Sequence, residues 1–110
     1  MTTFDEREKG FERKFAHDEE LRFKATARRN RLFGLWAAEK LGLSGTEAAD
    51  YAKSVVKADF AEPGDADVLR KVRGDLEAKG VAGSDEVERV LIDKMAEALR
   101  QIETEAGRGA

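Results

Sequence analysis

The sequence predicts an all-α protein, a small four-helix bundle preceded by a mobile N-terminal arm. Apolar residues recur at i, i+3 and i+4 in four separate stretches, and glycines with a single proline punctuate the links between them. No stretch supports a strand. With 110 residues the chain suits one domain with a small core. Hydrophobic residues make up 41% and charged residues 39%, the balance of a helix-rich protein in water rather than of a disordered chain.

The first twenty residues are densely charged and carry Phe4, Phe11 and Phe15. At 100° per residue these rings fall at about 0°, −20° and +20°, a thin aromatic stripe on a charged rod. The next stretch places Leu21, Ala25, Leu32, Leu35 and Trp36 between about −140° and −40° in the same frame, so one continuous helix cannot bury both stripes. Two readings follow. Residues 1–18 are an arm, disordered or transiently helical, whose stripe waits for a partner's groove; or they are a solvated tail.

The bundle occupies residues 19–106. Its first helix runs from about Glu19 to Lys40 and stops at Gly42. Ser44 and Glu47 have the spacing of a capping box, which opens a second helix carrying Ala48, Tyr51, Ala52, Val55 and Val56 to about Phe60. Glu62-Pro63-Gly64-Asp65 breaks it, and Asp65 or Asp67 caps a short third helix with Val68, Leu69, Val72 and Leu76 on one face before Gly80 and Gly83. Ser84, Asp85 and Glu86 open the fourth helix, in which Val87, Val90, Leu91, Met95, Ala98 and Ile102 keep the helical period. Residues 107–110 fray. The expected core is anchored by Trp36, with Leu32, Val55, Val72, Leu76, Leu91 and Met95 around it. Gly34 costs the first helix about 1 kcal/mol relative to alanine and is read as a point of close helix packing.

Net charge is −3, but unevenly placed. Residues 22–31 hold Arg22, Lys24, Arg28, Arg29 and Arg31 with no acid. The overall acidity argues against a nucleic-acid binder, which shows a broad basic face. Arg28, Arg29 and Arg31 are either a solvated, ion-paired helix face or a site for phosphate or an acidic partner. There is no cysteine, which excludes disulfides and thiolate metal sites. The lone histidine, His17, has no partner at metal-ligand spacing, and neither of the glycine-rich phosphate-loop patterns occurs. Asp65 and Asp67 lack the glycine and glutamate offsets of a calcium loop and read as helix caps. No metal, no cofactor and no catalytic residue are expected. No apolar run approaches the roughly 18 to 20 residues of a membrane span, and the N-terminus lacks an apolar leader, so the expected location is the cytoplasm.

The stretches FDERE (4–8), KFAHDEEL (14–21), ARRNRLFGLWAAEKLGL (27–43), YAKSVVKADF (51–60) and EPGDADVLRKV (62–72) resemble the zeta subunit, the ATPase inhibitor protein of alphaproteobacterial F-type ATP synthases. The resemblance covers nearly the whole chain and weakens from about Gly74; Arg31 and Phe33 stand where the family pattern has Lys and Leu. It implies a four-helix bundle with an inhibitory N-terminus that blocks ATP hydrolysis by the F1 sector. The arm residues Phe4, Asp5, Arg7, Glu8, Phe11, Arg13, Lys14 and Phe15 would then enter a catalytic α/β interface beside the central-shaft γ subunit. The resemblance also implies weak ATP or ADP binding on the bundle, for which Arg28, Arg29 and Arg31 are the candidates. A free monomer, held at the inner membrane only through F1, is expected, and the alternative roles are a nucleotide-binding helical regulator or an adaptor with a different protein partner.

Overall fold

The computed structural model describes residues 18–59, 64–81 and 84–109. They form four helices: α1 (Glu19–Lys40), α2 (Gly45–Ala58), α3 (Ala66–Lys79) and α4 (Ser84–Gly109). Among the described residues there is no strand, and the all-α bundle is the predicted one. The arm residues and His17 lie outside the described residues, as do Phe60, Glu62 and Pro63 of the expected second break. The last helix is continuous to Gly109, beyond the expected bundle limit at 106.

Local chemistry sets the helix ends. Asp18 has extended backbone angles, and its Oδ1 accepts from the Leu21 N–H at 3.0 Å, capping α1. Glu19 and Glu20 follow in the first turn, where negative charge suits the helix dipole. At the other end Gly42 takes φ +80°, which lets the Leu43 N–H reach back to the Ala38 carbonyl at 2.9 Å. Gly80 ends α3 in the same way, with the Val81 N–H on the Leu76 carbonyl at 3.1 Å. Two caps differ from expectation. Ser44 and Asp65 stand at the N-cap positions of α2 and α3, but neither side chain makes a capping bond. The Asp65 carboxylate is drawn instead to an arginine of α1.

α1 packs chiefly on α2 and α4 and also touches α3, which makes it the central helix. The core consists of Phe33, Ala37, Val55, Val68, Val72, Leu76, Val87 and Leu91. Its aromatic anchor is therefore Phe33, fully buried, and not Trp36. Trp36 is partly buried and stacks on Phe33 at 5.9 Å between ring centres, with Lys40 Nζ 5.9 Å from its own ring. Leu32 and Met95, also expected inside, are only partly buried. The space between α1 and its neighbours suits a phenyl ring among valines and alanines; the larger indole closes the rim. Gly34 does mark close packing, since a Cβ there would stand 2.7 Å from Ala52 Cα.

The buried face of α1 also differs from the one read in the sequence. Ala25, Arg29, Asn30, Phe33, Gly34, Ala37 and Ala38 span an arc of about 220°. In the frame of the arm, Arg29 and Phe33 fall at about −20° and +20°, on the line of the three phenylalanines. The angular mismatch between the stripes is therefore absent. α1 begins at the Asp18 cap.

Candidate partner-binding surface

Two groups of residues are candidates: the arm and the arginines that follow it. For the arm, Phe4, Asp5, Arg7, Glu8, Phe11, Arg13, Lys14 and Phe15 all lie outside the described residues. Its point of attachment is the capped start of α1.

The arginines are described, and the structure sends them to three different neighbours. Arg29 is 4% exposed; its Nε and Nη2 donate to Asn30 Oδ1 at 3.0 and 2.8 Å, and Nη2 also donates to Asp65 Oδ1 at 2.8 Å. Asn30 is itself buried, so each member of the cluster answers a polar group that would otherwise be stranded. This cluster ties the middle of α1 to the start of α3. Arg28 turns to α4, with Nη1 2.6 Å from Glu105 Oε1. Arg31 is exposed and stands at a groove between α1 and α2. Arg28 and Arg31 are one turn apart and about 60° apart around α1, while Arg29 lies about 100° or more from both; Arg28 is engaged by Glu105 and Arg29 by Asn30 and Asp65.

A second polar cluster, between α2 and α3, carried no signal in the sequence. The Tyr51 hydroxyl donates to Asp75 Oδ2 at 2.7 Å, and Lys71 Nζ lies 3.3 Å from the same oxygen and 5.2 Å from the Tyr51 ring centre. Burial, and then the hydrogen bond and charge of Asp75, push the phenol well above its ordinary pKa. Held neutral, Tyr51 serves as a hydrogen-bond donor that joins two helices. Among the described residues no group of three His, Asp or Glu side chains is placed to hold a metal ion. No described helix is long and apolar enough to cross a membrane.

The described residues thus offer a capped helical bundle whose helices are joined by ion pairs and buried polar contacts. A solution NMR structure is similar at 53% identity and a TM-score of 0.71, covering 77% of this chain and 98% of that one. A comparison with curated proteins returns no match. The model of the family ATPase inhibitor subunit zeta matches residues 1–101, arm and bundle together. The chain belongs to the ATPase inhibitor subunit zeta family.

Proposed function

We propose that this protein inhibits ATP hydrolysis by the F1 sector of an F-type ATP synthase, with residues 1–18 as the inhibitory element and the bundle as its anchor. The family match carries the reading, because it runs from the arm through the bundle. The Asp18 cap supports it by starting α1 at Glu19, where the proposed inhibitory element ends. In this mechanism residues 4–15 fold into a helix on entering a catalytic α/β interface beside γ. Phe4, Phe11 and Phe15 bury their rings, while Asp5, Arg7, Glu8, Arg13 and Lys14 face charges of the groove. Ordering the arm costs ~2 to 5 kcal/mol or more, which the aromatic contacts must exceed. A wedge in an interface that must open and close stops turnover without a catalytic residue, so the protein is a regulator and not an enzyme. It acts in the cytoplasm on the membrane-bound synthase without entering the bilayer, and is a monomer when free.

The test is the ATPase rate of cognate F1 with and without the full chain. Inhibition by the wild type should be weakened more by Phe11→Ala or Phe15→Ala than by Glu12→Ala, which lies off the stripe. Absence of inhibition would end the proposal, and equal losses in the three variants would remove the stripe as the contact face.

A further inference from the structure

We propose that the groove between α1 and α2 is a docking surface of the bundle itself and takes an acidic amphipathic helix of the F1 enzyme; the identity of that partner rests on the function proposed above.

The groove has an apolar floor of Leu35, Ala52 and Val56 and a volume of about 320 Å³. Its origin is the Gly34 contact. With α1 and α2 touching at Ala52, the small side chains there leave the outer side of the seam unfilled. Val56 also lines an adjoining cleft with Ala27 and Phe23, the latter 62% exposed. From Phe23 to Leu35 the apolar line follows α1 for about 18 Å, the length of roughly three helical turns. That is the footprint of a helix presenting anchors at i, i+4 and i+7.

The rim names the charge of the occupant. Arg31, Lys53 and Lys57 border the floor, all exposed, and none makes an ion pair or hydrogen bond among the described residues. Three cations elsewhere on the bundle are answered across helices, Arg28 by Glu105, Lys40 by Glu86 at 3.5 Å and Arg73 by Glu88 at 3.0 Å. Here three positive groups surround apolar surface in a chain of net charge −3, and no acid lines the groove. Asp59 stands by the adjoining cleft, so the partner's carboxylates belong towards Arg31 and Lys53. The Lys and Arg stems extend the apolar floor while their heads meet those carboxylates. A nucleotide fits less well, since the floor offers no polar side chain to the edge of a base. Docked there, the bundle would hold the arm at high local concentration beside its own site.

The experiment uses the full chain and cognate F1, measuring binding directly and ATPase inhibition separately, at two salt concentrations. R31E/K53E/K57E should bind roughly tenfold more weakly or worse and with a shallower salt dependence. It should still inhibit fully at saturation and keep the wild-type thermal transition. The neutral pair K53Q/K57Q, with less repulsion, should show a smaller loss in the same direction. Wild-type-like binding by both variants overturns the groove whatever happens to inhibition. Binding of the wild type without inhibition would end the arm mechanism and leave the groove standing on the variants' loss. No binding by the wild type overturns both. ATP titration that shifts the amides of Arg31, Leu35 and Lys53 would assign the groove to nucleotide and overturn the helix as its occupant.

Discussion

α1 and α3 bury themselves by different means. α3 turns one narrow stripe inward, Val68, Val72 and Leu76, three aliphatic side chains within an arc of about 80°. α1 is enclosed over about 220°, and what it buries is Phe33, three alanines, a glycine, an asparagine and an arginine. A peripheral helix meets the core along a line and is held by the volume it contributes. A central helix meets neighbours on several sides and is held by fit, small residues where backbones touch and satisfied polar groups where they do not. The two should therefore fail in different ways.

The largest loss is expected from the ring on which the two helices converge. Phe33→Ala should cost ~3 to 5 kcal/mol and leave the bundle largely unfolded at room temperature, as read by circular dichroism and denaturant titration. Trp36→Ala should cost clearly less, ~1 to 3 kcal/mol, since the indole covers the rim. The reverse order would return the anchor to Trp36. Arg29→Ala comes next, at ~2 to 3 kcal/mol, because it strands the buried Asn30 carbonyl and vacates space beneath it. Asp65→Asn should cost only ~1 kcal/mol, its side chain being 49% exposed. If Arg29→Ala proves neutral, α1 is not held by its polar cluster.

One substitution made in both helices separates the two modes most cleanly. Gly34→Ala drives a methyl to 2.7 Å from the Ala52 backbone, and the strain exceeds the better helix propensity; a net loss of ~1 to 2 kcal/mol is expected. At Gly74 in α3 an added Cβ meets nothing within 4 Å, so Gly74→Ala should stabilise by up to ~1 kcal/mol. Equal signs in thermal melts of the two variants would show that α1 and α3 are not packed differently.

The same contrast explains what was legible in the sequence. The number, order and type of the helices follow from periodicity and glycine stops, and Glu19 to Lys40 is the first helix as read. Val55, Val72, Leu76 and Leu91, on the peripheral helices, are core residues as read. The errors gather on α1, where the apolar line of Leu32, Leu35 and Trp36 drew the assignment away from Phe33. A helix enclosed on several sides has little amphipathic contrast, so its pattern does not point to one face. Neither did local pattern show that Arg29 turns inward, because its partner Asp65 lies 36 residues away. Asp18 was a readable cap signal, an aspartate three residues before the amide it accepts from. For the groove, the legible part was the run of basic residues; its floor exists only once Gly34 has brought α2 against α1.

The smallest effect concerns the edge where α3 meets α2. Tyr51→Phe removes the 2.7 Å bond to Asp75 and leaves that carboxylate, partly open to water, to Lys71; about 1 kcal/mol should be lost near neutral pH. The pH dependence has a definite sign. The phenol's folded pKa is raised above its ordinary value of 10.0, so the contribution of the neutral group is complete below that value. It is lost as pH rises beyond 10.0, where the unfolded chain sheds the proton that the folded chain keeps. The stability gap between wild type and Tyr51→Phe, from denaturant titrations, should thus be level from pH 7 to 9 and close above pH 10. A gap that widened there would mean that the folded protein favours the phenolate, with Lys71 rather than Asp75 setting the state of Tyr51.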